Sequence, residues 1–170
     1  MKNWIYLIAT AGILNAFGCS TANNTAHTAS DSTAFSASNK AADSLEVKLS
    51  ANQAITQDSV PVTFTVYNKM DTVGRFLKWE TPFEPLLGKY LSVTDDAGTE
   101  ANYKGPMAKR VMPPPADSYI SVQPHDSMSV TFNLKKGYDI KPGKYQVKYN
   151  ASGMSGLKAT NQIKINVPEK

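Results

Sequence analysis

Val60-Pro61-Val62-Thr63-Phe64-Thr65-Val66-Tyr67 places apolar side chains at 60, 62, 64 and 66, with threonines between them at 63 and 65. A period of two, rich in β-branched and aromatic residues, marks a strand with one buried and one wet face. The same alternation recurs on both sides of it. Leu45, Val47 and Leu49 precede it; Met128, Val130, Phe132 and Leu134 follow, then Tyr145, Val147 and Tyr149, then Ile163, Ile165 and Val167. No window in this region has a helical period. Turn-forming clusters separate the runs: Asn68-Lys69-Met70-Asp71, Asp95-Asp96-Ala97-Gly98 as a short hairpin, Pro124-His125-Asp126 and Lys141-Pro142-Gly143. Pro61 predicts either an edge position or an early break in its strand, because it cannot donate to a ladder.

Short strands with one wet face are most simply buried by facing two sheets together. The expected fold is all-β, an immunoglobulin-like β-sandwich of about seven or eight antiparallel strands over residues 44–170. Those roughly 125 residues suffice for one domain with its own core. In Pro142-Gly143-Lys144-Tyr145-Gln146-Val147 a turn precedes a tyrosine with an apolar residue two positions on. That is the pattern of a corner in which the Tyr145 hydroxyl ties back to upstream backbone and supports the fold.

The start of the chain reads differently. Met1-Lys2-Asn3 is basic, residues 4–17 are mostly apolar, and Ala16-Phe17-Gly18-Cys19 closes the run. This layout predicts a secretory signal over residues 1–18, too short for a comfortable bilayer span of roughly 20 residues. Its end resembles a bacterial lipobox, with Cys19, the single cysteine of the chain, as the lipid attachment site. Several acyl chains (palmitate among them) on one residue would hold firmly, since each buried methylene contributes about 0.8 kcal/mol. Ser20, in place of the Asp that retains lipoproteins at the inner membrane, predicts the outer membrane, facing the periplasm or the cell surface. Residues 20–43 are mostly Ser, Thr, Ala and Asn, with Phe35 and His27 among them. They are expected to form a flexible tether with an end-to-end distance of about 25–30 Å.

Two central stretches do not fit a plain sandwich. Residues 75–88 are dense in apolar and charged side chains and punctuated by prolines; residues 103–119 form a long loop with Lys109-Arg110, Met107, Met112 and Pro113-Pro114-Pro115. Loops longer than about 12 residues in a compact domain are usually functional or disordered. The aromatic ends and apolar anchors of this one predict order. Two readings of it stand side by side. In one, Lys109 and Arg110, with Met107, Met112 and Lys78, contact a partner over Trp79 as structural support. In the other, Lys78, Trp79, Lys109 and Arg110 brace the domain itself, with Trp79 as its core tryptophan. Glu80 and Glu84 read as turn formers and surface charge.

These stretches also carry a family resemblance. Leu77-Lys78-Trp79-x-Thr81-Pro82-Phe83-Glu84, Tyr103-x-Gly105-Pro106-x-x-Lys109-Arg110, Asp117-x-Tyr119, Gly137-Tyr138-Asp139 and Pro142-Gly143-x-Tyr145-x-Val147-x-Tyr149 occur in this order. The order is similar to that of the N-terminal domain of bacterial deuterolysin-type metalloproteases, the aspzincins, which include peptidyl-lysine endopeptidases. The resemblance implies a propeptide-like domain that keeps such an enzyme latent. It does not bring the activity with it. Those enzymes hold zinc with His-Glu-x-x-His and a distal Asp, whereas this chain has only His27 and His125, neither beside a Glu. No catalytic domain is expected after Lys170. No phosphate loop, nucleophile elbow or Cys–His pair is present. The expectation is therefore no enzyme, no cofactor, no metal and no small-molecule substrate.

Lys and Arg total 18 against 14 Asp and Glu, a formal net charge of +4. The lysines are dispersed, which guards strand edges and leaves a weak attraction to anionic lipid headgroups. Nucleic acid is not expected as a partner. The sequence thus predicts a lipid-anchored envelope protein whose sandwich binds another protein, most concretely as a tethered inhibitor or chaperone of a metalloprotease. The alternative is a structural or adhesion lipoprotein with no protease partner.

Overall fold

The computed structural model describes residues 45–51, 54–150 and 154–169. All of them lie in the unit Ala37–Lys170. The signal, Cys19, His27 and the tether lie outside the described residues.

Among the described residues nine strands run in chain order: β1 (Leu45–Ala51), β2 (Pro61–Asn68), β3 (Gly74–Leu77), β4 (Leu91–Asp95), β5 (Tyr119–Val122), β6 (Ser127–Asn133), β7 (Gly143–Tyr149), β8 (Lys158–Ala159) and β9 (Gln162–Val167). They form a four-stranded sheet β6-β2-β1-β8, a three-stranded sheet β4-β7-β9 and a two-stranded sheet β3-β5. The regular helices among the described residues are single 3-10 turns at Ala116–Ser118 and Leu134–Lys136. The fold is thus the expected all-β immunoglobulin-like sandwich. Its strand number is raised by elements too short to show a period, the four-residue β3 and β5 and the two-residue β8.

The alternation in β1 and β2 does what a period of two requires. Leu45, Val47 and Leu49 of β1, and Val62, Phe64 and Val66 of β2, are at most 1% exposed. The opposite face of β2 is hydroxyl-lined: Thr63 bonds Thr131 and Thr65 bonds Ser129, both at 2.8 Å across to β6. Leu91 and Val93 of β4, Val147 and Tyr149 of β7, and Ile165 and Val167 of β9 supply the core from the second sheet. Phe64 meets Tyr149 edge-on, with centroids 5.0 Å apart, and so joins the two layers. Burial pushes the Tyr149 hydroxyl up to about 12, although its hydrogen bond to Ser155 pulls the other way. It therefore stays neutral at ordinary pH.

Pro61 is the first residue of a strand that has neighbours on both sides. The edge reading fails and the early break holds, because a ladder tolerates a missing N–H at its first residue. Asn68 closes the same strand. Its buried amide donates towards Thr72 O, Val122 O and Gln123 O, and its carbonyl accepts from Met70 N, which fastens the following turn.

One pairing departs from the antiparallel expectation. β8 runs parallel to β1, with Glu46 opposite Lys158 and Val47 opposite Ala159. Thr160 then donates to Val47 O from both its N–H and its hydroxyl. The Asn161 side chain accepts from Leu49 N at 2.8 Å and donates to Leu49 O at 2.7 Å. Its amide thus stands in for one more residue of backbone. The main chain is freed to leave this sheet, and at Gln162 it enters the other as β9.

The tyrosine corner is present: the Tyr145 hydroxyl accepts from Lys141 N at 3.2 Å. Tyr145→Phe is expected to cost about 0.5–1 kcal/mol, the lower part of the usual range because Lys141 N can turn to water. Thermal unfolding checks this. A drop of a few degrees is the expected reading, and an unchanged midpoint would mean that the corner is ornamental.

Candidate binding surface

Between β4 and β5 the chain makes its longest excursion, and residues 103–119 are held at three places. At the entry, Tyr103 pairs with Tyr138, and Lys104 N donates to Gly137 O at 2.9 Å. The Tyr103 hydroxyl lies 3.0 Å from Pro106 O and 3.3 Å from Leu86 O. A Cβ at Gly105 would stand 2.3 Å from that hydroxyl oxygen, so a larger residue here must displace the Tyr103 ring. At the exit, the Lys78 ammonium donates to Asp117 O at 3.0 Å and Lys78 N to Ser118 O at 2.9 Å.

The third hold is in the middle. Ala108 N donates to Leu87 O, and Arg110 turns inward to form an ion pair with Glu84. The guanidinium also lies over the Trp79 ring, 4.9 Å from its centroid. The Glu84 side chain is 6% exposed and that of Arg110 20%. Glu84 receives a second hydrogen bond from Glu80 N at 3.2 Å, and Glu80 occupies the left-handed region with φ 57°. Thr81, fully buried, closes the same turn by donating to Lys78 O at 2.6 Å.

The expectation that Glu84 is surface charge is overturned, because its carboxylate is the buried counter-ion of Arg110. Arg110 accordingly serves the bracing reading: its charge is spent inside the domain. Trp79 is buried at 6% exposed, but it lies outside the cluster between the sheets and forms a shelf beneath Arg110. Lys78 pins the loop exit. Within residues 107–112 the side chains that remain on the outside are Lys109 and three large apolar groups, Met107 (70% exposed), Val111 (76%) and Met112 (65%). Val111 escaped the sequence reading because a single valine between an arginine and a methionine carries no period. Tyr145 stands apart from this group, on β7.

His125 sits in its turn with φ 56°, 2.8 Å from an exposed Asp71 carboxylate. Among the described residues no group of three or more His, Cys, Asp or Glu could hold a metal. No described helix is long and apolar enough to cross a membrane.

A family model for an immunoglobulin-like domain matches residues 44–156. No curated protein is similar enough to match. Among solved structures, a β-glucosidase from Listeria innocua in complex with glucose is 14% identical, with a TM-score of 0.37; the alignment covers 74% of this chain and 16% of that one. A mutant of that enzyme in complex with laminaribiose gives 15% identity, the same TM-score and the same coverage. Likeness at this level carries nothing about activity. The family match carries the domain and does not extend to the metalloprotease resemblance. It covers well over half of the chain, which therefore belongs to the immunoglobulin-like domain family.

Proposed function

We propose that this chain is a lipid-anchored bacterial envelope protein, held through Cys19, whose sandwich binds another protein by the outer side of residues 107–112. The partner we infer is a deuterolysin-type metalloprotease of lysine specificity, inhibited or chaperoned by the domain. One observation carries the reading. Three large apolar side chains and a lysine are exposed on a backbone that is pinned at its entry, middle and exit. Exposed apolar clusters mark interaction sites more often than scattered single residues do. A loop already held in one conformation loses little entropy on binding. Arg110 contributes by holding the loop, and Lys109 is the residue offered to a pocket.

The test titrates a lysine-specific aspzincin with the full-length chain and its variants. Lys109→Ala is expected to weaken inhibition at least about tenfold while the melting temperature stays near wild type, because the Lys109 side chain is exposed. If the wild-type chain neither binds nor inhibits such an enzyme, including that of its own organism, the reading fails. The structural or adhesion lipoprotein is then the better account.

A further inference from the structure

A groove of about 650 Å³ lies on the three-stranded sheet, and none of the residues lining it belongs to the loop just described. The register defines its floor. Thr94, Gln146 and Lys164 stand opposite one another across β4, β7 and β9, and Lys144 stands opposite Asn166. Directly paired residues share a face, so these five side chains project together. In the next row along, beyond the residues that line the groove, Lys148 is paired with Gln162.

The three lysines make a zigzag. Lys144 and Lys148 are separated by about 13 Å along β7, and Lys164 stands midway on the adjoining strand, roughly 5 Å to the side. Each is exposed, and among the described residues none has an ion-pair partner. Glu100 pairs with Thr94 and so shares this face, but its carboxylate is held by Lys89 at 2.6 Å. Two further acids, Asp95 and Asp96, are in the hairpin at the groove's end. The Asp95 Oδ1 is already occupied by Ala97 N and Thr99 N, which leaves Asp96 free at the tip. The groove volume falls within the roughly 300–1,000 Å³ of small-ligand sites.

We propose that this groove binds an acidic oligosaccharide. Two or three negative groups along an extended chain match the lysine spacing and relieve the mutual repulsion of the lysines. The Gln146 and Asn166 amides and the Thr94 hydroxyl can both donate to and accept from sugar hydroxyls, and Asp96 can accept. A bare anion would leave those amides unused, and a flat bilayer surface would not enter the groove. This site is independent of the loop at residues 107–112.

The experiment is calorimetry on the full-length chain with a trigalacturonate probe at low and at physiological salt. Expected are saturable binding weakened by salt, no binding of a neutral trisaccharide, and at least a tenfold loss in Lys144→Gln/Lys164→Gln. Lys158→Gln, on the other sheet, should leave binding unchanged. Absence of binding, equal binding of the neutral sugar, or full binding by the double variant overturns the site. So does inorganic phosphate binding as tightly as the saccharide, which would make it a simple anion site. Capture of anionic vesicles that trigalacturonate does not displace also overturns it, in favour of a lipid surface.

Discussion

Trp79→Ala is expected to lower the stability of the domain by about 3–5 kcal/mol, as the loss of a buried aromatic does. Trp79 is 6% exposed, so removal of its indole leaves a cavity. The same substitution takes the shelf from beneath the Arg110 guanidinium, 4.9 Å from the ring centroid. Urea unfolding followed by far-UV circular dichroism measures the effect. Trp79→Phe keeps a ring under the cation and should recover most of it. A loss below about 1 kcal/mol would instead describe a tryptophan that merely lies against the surface.

Arg110→Ala is the second large effect, expected at about 2–4 kcal/mol. Its origin is the group left behind: the Glu84 carboxylate, 6% exposed, would stay buried without its counter-ion. Breaking a buried pair from one side costs more than the pair itself is worth. The residual exposure of Arg110 places the effect towards the lower part of the usual range. The sharper check is the double variant Arg110→Ala/Glu84→Gln. The amide carbonyl still accepts from Glu80 N while the charge is gone, so the double variant should be more stable than Arg110→Ala alone. Equal or lower stability would rule out an uncompensated carboxylate as the cause. Both variants should also lose partner binding through a loosened loop, which separates them from Lys109→Ala, where binding falls without a change in stability.

The sandwich was legible wherever a strand buries one face only. β1, β2, β6, β7 and β9 announce themselves by alternation, and the hairpin after β4 by Asp95 and Gly98, the glycine having φ 82°. β3, β5 and β8 were not legible, because two to four residues cannot display a period. The direction of β8 was hidden for another reason: it depends on Thr160 and Asn161 reaching residues more than a hundred positions earlier. The loop was visible as a loop through its length and prolines. Its inner and outer sides were not, because Glu84 and Arg110 are 26 residues apart and no local pattern ties them. A charged residue reads as surface until its counter-ion is found, and here that counter-ion comes from another segment.

The parallel seam between β1 and the segment from Lys158 to Asn161 has a mechanical consequence. A load that pulls β1 by its leading end and the segment Lys158–Asn161 by its trailing end, through β9, runs along both sides of the seam, across the bonds that join them. Those bonds, including the three from Thr160 and Asn161 side chains to Val47 and Leu49, are then strained together in shear. An antiparallel hairpin pulled at its open end would give way one rung at a time. This seam has to fail as a unit.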